Sequence, residues 1–302
     1  MIAAVFPGQG AQFVGMGADL AAGHEVARRT FEEADDVLGY ALSDICFAGP
    51  LERLTETDVC QPALVAASVA AYRAAVEAND FAPGIVLGHS LGEYSALVAA
   101  GALEFAEALR IVAERGAAMR AAAVASPGGM IAVLGLADEA VAGLVAEVSG
   151  VWLANVNCPG QVVVSGTVAG IDELESLAAE RSTRTARLQV DGAFHSPLMA
   201  SAARRLKPAL ETWQPVEPVV PFLSTTTCVV EPPERMQAVL LDQLTAPVRF
   251  GPAMEVALEQ GVDRVVEFGP GRVLSALVRR VSRSTPVSQV GVSDDLKTLV
   301  AT

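Results

Sequence analysis

Gly88-His89-Ser90-Leu91-Gly92 follows an apolar run, Ile85 to Leu87, and leads into a helix-forming stretch, Glu93 to Ala100. A serine between glycines on a tight strand-to-helix turn is a nucleophile elbow. The glycines remove side chains that would collide with the strained serine backbone, and the turn lifts the hydroxyl toward the positive end of the next helix. Ser90 is therefore the candidate nucleophile. A bare G-x-S-x-G also arises by chance in glycine-rich chains, and it is the strand before and the helix after that favour chemistry here. A serine hydroxyl needs a base to take its proton, and the chain has three histidines, His24, His89 and His195. His89 adjoins Ser90 on the elbow, where neighbouring side chains diverge, and His24 lies near an acidic amphipathic stretch ending at Leu38. That leaves His195, in Asp191-Gly192-Ala193-Phe194-His195-Ser196-Pro197, between a strand-like run (Ala186 to Val190) and a helical one. A helix-capping or core histidine is the alternative; elimination favours the base.

Attack by Ser90 on an acyl carbon creates an oxyanion that needs preorganised donors. The backbone N–H of Leu91, first after the serine, is one by position. Phe6-Pro7-Gly8-Gln9-Gly10 is a glycine-flanked loop at the end of the first strand, on the edge where ligands gather in α/β sheets, and offers Gln9 as the second backbone donor. Arg115 lies in mid-helix among small apolar residues, Ile111 to Met119. It suits a buried clamp for a carboxylate, gripped by two parallel hydrogen bonds. An exposed arginine paired with Glu114 or Glu107 fits the spacing equally well.

The elements that must position these residues alternate. A first strand is followed by helical stretches from about Asp19 to Leu38 and Gln61 to Ala78, then the elbow strand and its helix, then a helix from about Glu104 to Val124. This is the rhythm of parallel strands covered by helices. After Ser126-Pro127-Gly128-Gly129 it changes. Strand-like Met130 to Leu134, helical Asp138 to Val148, strand-like Val151 to Val156 and Gln161 to Ser165, helical Val168 to Arg181 and strand-like Thr185 to Val190 give β-α-β-β-α-β, the ferredoxin-like order. The expected fold class is α/β: a hydrolase-like large lobe with a parallel sheet and nucleophile elbow (1–126 and 195–302), plus an inserted small ferredoxin-like subdomain (127–194). Ser90 and His195 flank that insertion, which predicts a cleft between the lobes.

Composition narrows the classes. Apolar segments read as broken by charges before they reach a bilayer-spanning length, and no basic leader precedes the first strand, so no membrane span and a cytoplasmic location are expected. Cys46, Cys60, Cys158 and Cys228 are scattered without a C-x-x-C pair, pointing to neither zinc nor disulfides. A net charge of −14 argues against nucleic acid and anionic membranes as partners. The acidity is uneven: residues 1 to 100 carry 4 basic and 13 acidic side chains, residues 201 to 302 carry 11 of each. Arg204, Arg205 and Lys207, or Arg279, Arg280 and Arg283, would serve an acidic partner or a phosphorylated ligand, or else are solvated helix faces.

Phe6-Pro7-Gly8-Gln9-Gly10, the Gly88-to-Tyr94 elbow with Glu93, Glu114-Arg115-Gly116, Asn155-Val156-Asn157 with Pro159-Gly160-Gln161, Phe194-His195-Ser196, Pro247-Val248-Arg249-Phe250 and Glu267-Phe268-Gly269-Pro270-Gly271 come in one order along nearly the whole chain. In this the sequence resembles the malonyl-CoA:acyl carrier protein transacylases. The Gly192-to-Ser196 segment looks more like the free-standing acyltransferases that serve polyketide synthases in trans than like the fatty-acid enzyme. The resemblance implies Ser90 as acyl-accepting nucleophile, His195 as base, Gln9 and Leu91 as oxyanion donors and Arg115 as clamp for the malonyl carboxylate. It also places Phe194, beside the acyl α-carbon, and Met119 in the substrate pocket, and implies that the backbone carbonyl of Arg249 orients His195.

The function expected is transfer of malonyl from malonyl-CoA, through an acyl-serine, to the phosphopantetheine thiol of an acyl carrier protein, in polyketide or fatty-acid biosynthesis. No metal or redox cofactor is expected; the partner is an acidic, transient carrier protein, and the enzyme is expected to act as a monomer. The alternatives are an acyl hydrolase of the same fold, which would have no use for Arg115, a transferase for a different acyl-CoA extender, and a silent carrier-binding module. An ordinary α/β-hydrolase esterase would place its histidine late, after an acidic residue, and nothing beyond His195 fits.

Overall fold

The computed structural model describes residues 1–190 and 192–299; Asp191 and the last three residues of the expected outer range 195–302 lie outside these. Its strands, in chain order, are β1 (Ile2–Phe6), β2 (Ile85–Gly88), β3 (Gly128–Leu134), β4 (Val151–Cys158), β5 (Gln161–Thr167), β6 (Arg184–Arg187), β7 (Arg264–Phe268) and β8 (Val287–Val290). They form two sheets, a parallel one in the order β2-β1-β7-β8 and an antiparallel one in the order β4-β5-β3-β6.

The parallel sheet is apolar on both faces because both are covered. Ala4, Phe6, Val86, Val266 and Phe268 point into the larger core. The alternate residues Ala3, Val5, Ile85, Leu87 and Val265 point into a second one, packed by the helices Phe250–Glu259 and Val273–Val281. The centre of the larger core is the helix Thr57–Asn79, packed against Glu25–Leu38 and Phe105–Ala125. This helix corrects the reading that every apolar segment is too short or too charged to span a bilayer. At 23 residues it is long and apolar enough by length and composition, but 83% of its most apolar window is buried inside the protein. Its all-round hydrophobicity is that of a core helix enclosed on every side.

The expected continuous helix from Asp19 to Leu38 is two helices, Ala18–Gly23 and Glu25–Leu38. His24 between them is extended (φ −134°, ψ 121°) and donates its N–H to the Leu20 carbonyl, closing the first. The end of the first helix is packed against Ser293, which seats on Gly23, where a Cβ would come within 2.8 Å of its hydroxyl oxygen. Two short helices, Leu42–Ala48 and Leu51–Thr55, were not foreseen; Gly49-Pro50 divides them.

In the antiparallel sheet, Ile131, Val133, Val162 and Val164 face the helices Asp138–Glu147 and Val168–Glu180, forming a core with Val141, Leu144, Ile171 and Leu174. Their neighbours Met130, Ala132 and Val163 point the other way, into the large core. Period-two alternation thus makes one sheet serve two interiors. Backbone bonds tie it down: Val156 N–H donates to Val248 O (2.8 Å) and Val248 N–H to Ala154 O (2.9 Å).

Candidate active site

The elbow forms where β2 meets the helix Gly92–Ala99, beside the end of β1. Its glycines are dictated by contact distance. A Cβ on Gly88 would lie 2.0 Å from the Gly92 carbonyl carbon, and one on Gly92 would lie 2.0 Å from the Phe6 oxygen. Between them Ser90 has φ 51°, in the left-handed region that L-residues seldom enter.

Ser90 Oγ lies 2.9 Å from His195 Nε2. His195 Nδ1 lies 2.8 Å from the backbone oxygen of Gln243. A carbonyl only accepts, so Nδ1 carries the proton and Nε2 turns its lone pair on the serine hydroxyl. Burial pushes the His195 pKa down to about 3, aided by the positive charge of Arg115, while the bond to Gln243 opposes the shift. The ring is therefore neutral at physiological pH, with the Nε2 lone pair free to accept a proton. His89 turns away: its Nε2 is 2.9 Å from Asn157 Oδ1. The His195 loop is held by Ser196 Oγ, which donates to Ala193 O at 2.6 Å, and by Ser165 Oγ, which donates to Phe194 O.

The carbonyl that orients His195 is that of Gln243, which corrects the expectation for Arg249. Arg249 caps the Phe250–Glu259 helix; its carbonyl accepts from Ala253 N–H at 2.9 Å and its N–H donates to Thr225 O at 2.6 Å. Helix initiation uses that oxygen, and the segment six residues earlier reaches the imidazole.

Arg115 is only 1% exposed. Nη1 donates to Gln61 Oε1 at 2.7 Å; Nη2 donates to Gln243 Oε1 at 2.8 Å and to Ser90 Oγ at 3.1 Å. Its Nε has no partner among the described residues, and the guanidinium carbon is 5.7 Å from the centre of the Tyr94 ring. The exposed alternative fails, since Glu114 pairs with Arg205 instead at 2.6 Å. A buried arginine held by two amide oxygens, and by no carboxylate among the described residues, keeps its charge for a ligand.

A cavity of about 190 Å³ opens on these groups, lined by Gln9, Ser90, Leu91, Arg115, Phe194 and His195 among others. Met119 is also on its wall, with its sulfur 3.3 Å from Gln61 Nε2. Sequence reasoning missed Gln61 and Gln243. The signal was a lone amide in a helical apolar run, Cys60-Gln61-Pro62-Ala63-Leu64, and another in Leu240-Leu241-Asp242-Gln243-Leu244; a buried amide demands partners.

Elbow, parallel sheet and inserted antiparallel sheet together define a serine acyltransferase fold. The chain belongs to the acyl transferase domain family, whose model matches residues 4–298. It is 42% identical to the malonyl CoA-acyl carrier protein transacylase of Bacillus subtilis over 299 residues, covering 97% of this chain and 93% of the relative. It is 39% identical to the enzyme of the same name from Escherichia coli K12, covering 92% and 91%. Among solved structures, a malonyl-transacylase in complex with its type II polyketide-synthase acyl-carrier protein matches with a TM-score of 0.95 at 39% identity, over 98% of each chain. An acyl carrier protein S-malonyltransferase from Vibrio cholerae gives 0.95 at 39%, over 98% and 99%.

Proposed function

We propose that this enzyme moves a malonyl group from malonyl-CoA to the phosphopantetheine thiol of an acyl carrier protein, in fatty-acid or polyketide biosynthesis. Ser90 Oγ attacks the thioester carbon while its proton passes to His195 Nε2. The oxyanion is received by the backbone N–H groups of Gln9 and Leu91, and CoA leaves with the proton from His195 as the acyl-serine forms. The carrier thiol then gives its proton to His195 and attacks the ester, and Ser90 takes the proton back. Phe194 and Met119 border the acyl group. The chemistry uses these side chains and backbone donors alone; the enzyme works in the cytoplasm as a monomer, with the carrier as a transient partner.

The observation that carries this reading is Arg115, a buried guanidinium 3.1 Å from the nucleophile whose side-chain acceptors among the described residues are two amide oxygens and the serine hydroxyl. An ionised malonyl carboxylate pairs with this cation. Burial does most to depress the basicity of His195 and the Arg115 charge adds to it; a carboxylate on Arg115 offsets that second part, so the imidazolium formed during attack no longer faces an uncompensated cation. The correct acyl group thus helps to activate the base that loads it.

The test is transfer itself. Malonyl-CoA, enzyme and holo carrier protein are expected to give malonyl-carrier by intact-mass measurement, and carrier lacking phosphopantetheine is expected to stay unmodified. Release of free malonate with the holo carrier unmodified would instead make the enzyme a hydrolase.

A further inference from the structure

One buried acid behind the elbow has no part in the steps above. Glu93, fully buried in the first turn of the Gly92–Ala99 helix, accepts on Oε1 from Thr225 N–H, from Thr225 Oγ1 at 3.0 Å and from Ser224 Oγ at 3.1 Å. On Oε2 it accepts from Gln243 Nε2. Gln243 Nε2 also donates to Ser90 O at 3.0 Å, its Oε1 accepts from Arg115, and its backbone oxygen holds His195. One glutamine therefore joins the guanidinium, the elbow and the imidazole.

An amide has two orientations, and only one serves here. With its oxygen toward Arg115, every contact is donor to acceptor; flipped, its NH2 would face the guanidinium and its oxygen would face the carboxyl. We propose that Glu93 is a positioning residue that locks the Gln243 amide, and through it Arg115, in the arrangement that receives a carboxylated acyl group. The enzyme then has an indirect acidic member: the carboxyl does not touch the histidine but fixes the residue that does. Burial drives the Glu93 pKa up to about 7 against the opposing pull of its donors. Such a group is costly to keep in an interior without a task.

The inference rests on the reading of Arg115 as malonyl clamp, and the experiment separates the two. The kcat/KM values for malonyl-CoA and acetyl-CoA are measured for wild type, Arg115→Ala, Glu93→Gln, Gln243→Met and the Glu93→Gln/Gln243→Met double variant. Gln at 93 keeps an oxygen for Thr225 and Ser224 but sets an NH2 against that of Gln243. Each of the two single variants at 93 and 243 is expected to lower the malonyl-over-acetyl ratio about tenfold, and the double variant no further than the worse single one, because the two act through one bond. Equal losses with both donors, which a merely structural role would give, or additive losses in the double variant, would overturn the inference. Loss of preference in Arg115→Ala but not in Glu93→Gln removes the role of Glu93 alone, whereas an Arg115→Ala enzyme that still prefers malonyl removes the clamp as well. Should Glu93→Gln be too unstable to assay, Glu93→Met, which leaves the amide with no acceptor, carries the same two outcomes.

Discussion

Ser90 and His195 both hold left-handed backbone conformations, with φ 51° and 57°, and their side chains meet at 2.9 Å. Each such residue costs on the order of 1–3 kcal/mol and persists only where its surroundings over-determine it. Gly88 and Gly92 do so for the serine, and the Ser165 and Ser196 hydroxyls do so for the histidine. Glycine at position 90 would relieve the strain that alanine retains. Ser90→Gly is expected to be more stable than Ser90→Ala by about 1 kcal/mol, read from urea unfolding. Equal or lower stability would mean the elbow stores no strain.

His195 is held neutral, with its pKa near 3 against an ordinary value of 6.5. Between those values the unfolded chain binds a proton that the folded enzyme refuses, so this residue's contribution is intact above pH 6.5 and is lost as pH falls, at up to about 1.4 kcal/mol per unit. Glu93 has the opposite sign: raised to about 7 from 4.5, it takes up its proton first in the folded state, and its contribution is lost as pH rises through 7. Comparing His195→Gln with wild type isolates the histidine. The variant is expected to gain on wild type steadily from pH 7 to pH 5; a constant difference would show that the folded protein does not exclude that proton.

Arg115 makes its own case by selectivity. Arg115→Ala is expected to lose malonyl loading by about 2–3 kcal/mol, or roughly 30- to 150-fold in kcat/KM, and acetyl loading by much less, because an uncharged acyl group cannot use a buried cation. Steady-state rates with the two donors decide the point, and equal losses would reduce Arg115 to a structural residue.

Phe194 is buried on the cavity wall and directly precedes the base in the chain, and the proposed placement of the acyl group sets its ring against a branch on the α-carbon. Malonyl-CoA is expected to win over methylmalonyl-CoA by about 1–3 kcal/mol, roughly 10- to 200-fold. Phe194→Ser is expected to narrow that ratio chiefly by improving use of the branched donor. A wild-type enzyme that prefers methylmalonyl would refute the placement of the ring.

The elbow, the ferredoxin-like strand order and the two residues that meet at 2.9 Å are legible in the sequence because each has a local signature: glycines at a close approach, period-two alternation, and a scarcity of histidines. Arg115 is legible only as an anomaly, since spacing alone allows an exposed pair with Glu114 as readily as burial. Gln61 and Gln243 show in the sequence only as amides within apolar runs; their roles are not legible there because their partner lies 54 and 128 residues away in the chain. The expectation for Arg249 fails for the same reason: which carbonyl reaches the imidazole depends on where the Phe250–Glu259 helix begins, with the Arg249 carbonyl taken by Ala253 in the first turn and the Arg249 N–H bonded to distant Thr225.

The central claim is that Ser90 carries the acyl group, and intact-mass measurement after brief incubation with malonyl-CoA tests it most directly. One added malonyl group is expected, mapped by digestion to the peptide containing Ser90, absent from Ser90→Ala and formed at least about 10³-fold more slowly in His195→Ala. An adduct on Ser90→Ala, or no adduct on wild type while malonyl still reaches the carrier, would contradict it.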